Sequence, residues 1–381
     1  MGQRNNKIYN PRRDWADVLE FDKLQFMFLI FFGIYILFRN ILIKIGGYMR
    51  VFIFKLKRLI IPSCICIFIL FLVIFSSDNL LAAKNGLLLW ASSVVPSLLP
   101  FFIATELLSY TNVVPILGRV FNKFMRPIFN VPGEGAFALI MGIVSGYPVG
   151  AKIVSNLKKQ GVCSNEECER LLAFTNNSGP LFIIGTVGVS LFFSSKIGLQ
   201  LFVVHLVSCL LVGFLFRWWK YKSNYFLGKR SNNAAVNYIG FNNLGSVLSA
   251  SIQSAIHSVV IIGGFVVLFS VIVSMLNSSK ILNIFCSFLN PFLHTLKIPT
   301  NYSSSIITGI IEVTNGVKLA AIDASPFSII ICSFLLGFGG ISVLLQVLSI
   351  TSEAKISIKP YILGKFLQAC FSAIFMYLLL I

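Results

Sequence analysis

Residues 145–157 read SGYPVGAKIVSNL and follow AFALIMGIV, residues 136–144, with no polar loop between them. A run that apolar carries a helix into hydrocarbon, yet Gly146, Pro148 and Gly150 permit a turn, and Lys152 brings in a charge that a bilayer disfavours. If 135–156 crosses the bilayer, everything after it changes side. If it enters and returns, everything after it keeps its side.

Composition fixes the setting. The 381 residues are 56% apolar and 14% aromatic with only 12% charged, more apolar than a soluble core of this size requires. The fold class is therefore an all-α polytopic membrane protein, with the lipid bilayer as its first partner. A net charge of +18 is basic enough to raise nucleic acid as a partner, but in such a chain Lys and Arg mark cytoplasmic loops, so no nucleic acid is expected. Most of the eight cysteines sit in apolar runs and form no disulfide framework. Cys163 and Cys168 share a charged loop with Glu166, Glu167 and Glu169, but the spacing is no zinc signature and no histidine is near, so a solvated loop without metal is expected.

A helix needs roughly 20 residues to cross a hydrocarbon core of about 30 Å. Segments 24–43, 59–76, 87–110, 171–195, 197–216, 252–276, 327–350 and 360–380 qualify, while 135–156 and 303–322 are apolar but interrupted. If 135–156 crossed, the basic segments 39–58 and 217–230 would lie on opposite faces, against the positive-inside rule. If both interrupted stretches return to the face they entered, nineteen Lys and Arg fall inside, against Lys84, Lys196, Lys280 and Lys297 outside. The sequence therefore predicts two re-entrant hairpins, which at membrane depth must be buried in protein or line a wet cavity.

Internal repeats agree. SVVPSLLPFFIATELLSYTN (93–112) aligns with SVVIIGGFVVLFSVIVSMLN (258–277), IIGTVGVS (183–190) with LLGFGGIS (335–342), and GIVSGYPVGAKI (142–153) with GIIEVTNGVKL (309–319) across one deletion. Lys152 then stands opposite Lys318, Gly150 opposite Gly316, and Ser145 opposite Glu312. An odd number of crossings separates the partners, so the expected architecture is inverted repeats with two re-entrant hairpins and broken transmembrane helices, as in many secondary transporters. The expected organisation is an extension at 1–48, a first transmembrane region at 49–216 whose gate repeat starts near 87, a basic cytoplasmic loop at 217–250 and a second gate repeat at 251–381. MRVFIFKLKRLIIP at Met49 reads as a natural beginning. KKQGVCSNEECERLL (158–172) reads as an exposed cytoplasmic hairpin present in the first repeat alone, and 113–130 and 280–298 as matching interfacial helices.

Polar residues at membrane depth mark the candidate substrate site. FTNNSGPLFIIG (174–185) puts Asn176, Asn177 and Ser178 inside an apolar span and predicts a broken helix, its second half capped by Ser178 or Gly179 with Pro180 in the first helical position. Such a start carries partial positive charge and suits an anion. The hairpin turns offer Ser145 and Tyr147 in the first repeat, and Glu312, Thr314 and Asn315 in the second. Lys152 alone would suit snorkelling to the interface, but two lysines at equivalent positions point to a site holding a small anionic solute between Lys152 and Lys318. Glu312 is expected to neutralise Lys318 when the site is empty. His205 and His257 read as core histidines, His294 as interfacial, and Glu106 as reaching water at the end of its span. No nucleophile, base and orienter assemble and no phosphate-binding loop occurs, so neither an enzyme nor ATP-driven transport is expected, and no cofactor.

The stretches SGYPVGAKIVSNL, FTNNSGPLFIIGTVGVSLF, GIIEVTNGVKLA and GFGGISVLLQ together resemble the sporulation integral membrane proteins of the YlbJ type over roughly residues 49–381. The resemblance implies a nucleoside-recognition, or gate, domain shared with relatives of concentrative nucleoside transporters. It also implies a spore-forming bacterium, the mother-cell-derived outer forespore membrane, and passage of dipicolinate, a planar dianion, towards the spore core. A nucleoside-type solute recognised by Asn176 and Asn177, and a non-transporting scaffold of a sporulation complex, stand as alternatives. A homo-oligomer or other sporulation membrane proteins are the expected protein partners. Residues 1–48 depart from the family.

Overall fold

The computed structural model describes residues 59, 61–221 and 243–380. The expected span 24–43, the extension 1–48, the whole of the basic segment 39–58 and most of 217–250 lie outside the described residues. The chain divides into two units, Met1–Ile74 and Phe75–Ile381. In the first, the apolar helix Ile61–Ile74 exposes Ile65, Ile69 and Val73.

The second unit repeats one order of elements twice, with no strand among the described residues. In the first half, α1 (Ser76–Leu89) runs through a π turn at Trp90–Val94 into α2 (Val95–Ser109). The chain then bends by 84° into α3 (Val113–Phe129). The first hairpin follows as α4 (Gly135–Ser145) and α5 (Val149–Lys159). A broken helix comes next, α6 (Asn165–Thr175) and the π helix Leu181–Leu191, and then α7 (Ser195–Phe216). The second half gives α8 (Leu244–Ser278), α9 (Ile281–Thr295), the hairpin α10 (Ser303–Ile311) and α11 (Val313–Ala320), the broken helix α12 (Pro326–Phe338) and α13 (Gly340–Glu353), and α14 (Lys359–Leu380). Each half holds a long helix, a broken helix and a final helix as crossings. Three is odd, so the halves are inverted relative to one another.

The long helices pack antiparallel. Trp90 Nε1 donates to Val259 O at 2.9 Å, and Gly86 lies against Ser270, so one chain descends as the other rises. Membrane burial inverts the soluble pattern on α7, where Leu199, Val203, Val207 and Phe214 are exposed while His205, Ser208 and Cys209 face inward. Lipid accepts the apolar face, and the polar groups find partners only inside the protein.

Length alone makes the hairpins re-entrant. Arms of 11 and 11 residues in the first, and 9 and 8 in the second, reach about 17 Å and 13 Å at 1.5 Å per residue, roughly half a bilayer. Glycine lets the arms touch backbone to backbone. A Cβ on Gly316 would sit 2.1 Å from Gly309 Cα, and one on Gly142 would sit 3.2 Å from Gly150 Cα and 1.8 Å from Thr175 O. The first turn takes Gly146 at φ +83° and a cis Tyr147–Pro148 bond.

Three expectations change. The span expected at 87–110 begins at Ser76, giving the first half a long helix to match α8. Segment 158–172 is exposed only around its turn, at residues 159–162 and at Asn165, and the rest is packed rather than solvated. Ser164 caps α6 through a capping box with Glu167, and Glu167, Cys168, Glu169 and Arg170 are buried. Their charge is compensated from within, by Arg126 on Glu167 at 2.6 Å, Lys220 on Glu169 at 2.9 Å and Trp219 Nε1 on Glu169 at 2.8 Å. Finally, aligning IIGTVGVS with LLGFGGIS would place the second break near Ile331, but the chain breaks at Gly339 and Gly340, opposite Asn176–Gly179. Short apolar strings with glycine match at several offsets, and the break in the helix sets the true register.

Candidate substrate site

Two hairpin tips and two helix breaks meet. In the first half, the tip at Gly146 lies on the broken helix, where an added Cβ would be 3.0 Å from Gly179 N. From the same tip, the Tyr147 hydroxyl donates to Leu336 O at 3.0 Å, on the last turn of α12. Two residues beyond that turn, Gly340 abuts the second hairpin, its added Cβ falling 3.2 Å from both Gly309 O and Val313 N.

Beside the first break lies a buried polar cluster built by helical spacing. Tyr361, Lys365, Gln368 and Ser372 follow one another at i, i+4, i+7 and i+11, so α14 presents them on one face, and all four are buried. Gly364 allows that helix to close on Ala173, where a Cβ would meet Ala173 O at 2.6 Å. The face then reaches the break. Asn176 Nδ2 donates to the Tyr361 hydroxyl at 3.1 Å, while Asn177 Oδ1 accepts from Gln368 Nε2 at 3.0 Å and from Lys365 Nζ at 3.4 Å. Lys365 also donates to Gln368 Oε1 at 2.8 Å, and Ser178 N donates to His205 Nε2 at 3.4 Å.

Lys365 is 1% exposed, and its Nζ stands 5.6 Å and 5.9 Å from the ring centroids of Tyr147 and Tyr361. Among the described residues no carboxylate forms an ion pair with it. Around it Ser145 Oγ, Thr175 Oγ1, Asn176 Oδ1 and His205 Nδ1 are buried without a hydrogen-bond partner among the described residues. Native interiors hold few such groups, and each asks for a missing partner.

The second tip is committed to its own helix. Glu312 accepts from Thr314 N at 3.0 Å and Asn315 N at 2.8 Å, capping α11. The expected ion pair with Lys318 is not formed, because the carboxylate is held by those two N–H groups and Lys318 lies on the exposed face of α11. Lys152 does not snorkel, being held inside by a carboxylate and two hydroxyls. Its Nζ pairs with Glu106 at 2.5 Å and donates to Ser254 Oγ and Ser258 Oγ, each at 3.0 Å, beside the Phe102 ring. Ser254 Oγ in turn donates to Glu106 at 3.0 Å, so α5 is tied to α2 and α8. Glu106 thus turns inward rather than to water. His205 joins the cluster instead of filling apolar core, and His257 and His294 are exposed.

Of the expected site residues, Ser145, Tyr147, Asn176, Asn177 and Ser178 come together, Glu312, Thr314 and Asn315 form the second tip, while Lys152 is paired with Glu106 and Lys318 is exposed. Tyr361, Lys365 and Gln368 were not anticipated. Their signal was a lysine inside the apolar span 360–380 at helical spacing from a tyrosine and a glutamine.

The Gate family model, described as nucleoside recognition, matches residues 91–261. The sporulation integral membrane protein YlbJ of Bacillus subtilis is 35% identical over 339 residues, covering 85% of this chain and 83% of its own. A solved structure of CNTnw in its intermediate 1 state matches with a TM-score of 0.43 and 14% identity, over 80% of this chain and 85% of that one.

Proposed function

The chain belongs to the family of the sporulation integral membrane protein YlbJ, and from that premise we propose that it is a carrier moving a small organic anion, dipicolinate, across the mother-cell-derived outer membrane of the forespore. The observation that carries the reading is the convergence of two hairpin tips and two helix breaks on buried polar side chains. Irregular backbone at membrane depth is costly, and it is retained where a solute must be met by N–H groups and side chains rather than by lipid. The π helix beginning at Leu181 turns its N-terminal end towards Asn177 and Ser178, a setting that favours carboxylates.

The architecture also offers something to move and something to move against. The antiparallel pair formed by α1–α2 and α8 makes a long brace, and the hairpins and broken helices form a body held to it by side-chain ties such as Lys152 to Glu106. Alternating access by displacing such a body past a brace requires no hydrolysis of ATP. Residues 251–381 serve in this reading as the second gate repeat. A nucleoside-type solute is the second reading, favoured by the description of the Gate family and by the amide side chains of Asn176 and Asn177.

The test is uptake into vesicles containing the purified chain. Labelled dipicolinate should accumulate above protein-free vesicles, and uridine should not. Uptake of uridine alone would select the nucleoside reading, and a folded chain that moves neither solute would point to the scaffold.

A further inference from the structure

We infer that Lys365 is the charge that selects the solute, and that it binds a carboxylate of a planar ring acid at the break Asn176–Gly179. The inference rests on the carrier reading and names the residue by which its site recognises an anion. A lysine ammonium deep within a membrane protein is expensive unless paired, and here its hydrogen-bond partners among the described residues are neutral amide oxygens, Gln368 Oε1 at 2.8 Å and Asn177 Oδ1 at 3.4 Å. Amide dipoles hold the ammonium in place without neutralising it. Lys152, by contrast, already has its carboxylate in Glu106.

A second observation points to the same place. Ser145 Oγ and His205 Nδ1, the latter left to carry the ring proton because Nε2 accepts from Ser178 N, are buried without partners among the described residues, and both can donate from the hairpin tip and the helix beside Lys365. A solute with several polar edges would complete them, and a carboxylate would complete the ammonium. The ring faces add shape. Tyr147 and Tyr361 lie within 5.9 Å of Nζ, so a flat aromatic acid held by its carboxylate would find aromatic surface beside it. Tyr147 rides on the first hairpin tip and covers Lys365, so movement of that tip would expose or seal the charge.

The test measures binding to the purified full chain in detergent, with dipicolinate and its uncharged, nearly isosteric diamide as probes. Wild type should prefer the dianion by at least about tenfold. Lys365→Gln should lose about tenfold to a hundredfold of dipicolinate affinity, the range set by removing a hydrogen bond to a charged group, while leaving diamide binding unchanged. Lys152→Gln should leave that preference intact. A folded Lys365→Gln chain that binds dipicolinate as wild type does would overturn the inference. Should that variant not fold, wild type alone decides, because equal binding of dianion and diamide also overturns it. Binding of a different carboxylate in a Lys365-dependent way, with none of dipicolinate, would refute the dipicolinate reading and support the inference.

Discussion

Replacing Glu106 by Gln tests whether Lys152 is a tie or a solute contact. At 2.5 Å two unit charges in an effective dielectric of about 20 attract by about 7 kcal/mol. Desolvation takes back most of that, since the side chains retain only 22% and 13% of their exposure. Removing one partner should therefore leave a net loss of about 2 kcal/mol, softened by the hydroxyls of Ser254 and Ser258 that still face the ammonium. On thermal unfolding of the purified chain this is a fall of roughly 5 °C. Lys152→Gln should cost a similar amount, and the double variant scarcely more than either alone. The coupling energy of the cycle should exceed about 1 kcal/mol. Dipicolinate affinity, measured on the same samples, should stay within about threefold for both single variants. Coupling below about 0.5 kcal/mol would refute the tie. A loss of affinity on Lys152→Gln but not on Glu106→Gln would return Lys152 to the solute.

Cysteines introduced at Lys159 and Lys229, in a chain otherwise free of cysteine, should both resist an impermeant thiol reagent applied from outside, and labelling of one alone would break the re-entrant topology. In the native chain, a hydrogen bond to Cys168, with burial behind it, pushes the Cys163 thiol well above its usual range. It should therefore stay protonated and unreactive at pH 8 despite its place near a turn, and rapid alkylation of the folded chain at that pH would contradict its burial. Gly316→Ala should cost several kcal/mol or prevent folding, since its Cβ would lie 2.1 Å from Gly309 Cα, whereas Gly161→Ala, at φ +69° with open space around it, should cost about 1 kcal/mol. Comparable melting temperatures for the two would show that the hairpin arms do not touch. Lys318→Gln, on an exposed helix face, should leave dipicolinate uptake within about twofold, and a tenfold loss would put Lys318 back in the site.

The hairpins were legible in the sequence because their causes are local or additive. Gly146, Pro148 and Gly150 mark one turn, the stretch around Asn315 and Gly316 marks the other, and the sidedness of Lys and Arg forbids a crossing. The break after Thr175 was legible for the same reason, since Asn-Asn-Ser-Gly-Pro cannot continue an apolar helix. The partner of Lys152 was not, because Glu106 lies on another helix and nothing in its spacing announces the contact. Lys365 escaped notice because one lysine six residues into a span reads as snorkelling. Its burial depends on which face α14 turns to the break, and Gly364 decides that through a close approach visible only in the fold. The buried charges of α6 were misread in the opposite sense, since acidic residues look solvated until Arg126 and Lys220 arrive from distant elements.

The hydroxyl of Tyr147, bonded to Leu336 O, fastens a hairpin of one half to a helix end of the other. Phenylalanine at that position would free the seam between them and deprive a carbonyl on the last helical turn of its donor. A membrane that separates two compartments must also refuse water and protons when nothing is being carried. Under the carrier reading the tyrosine would act as insulation in that idle condition, and its removal should appear first as a leak of ions across otherwise tight vesicles, before any change in what the protein recognises.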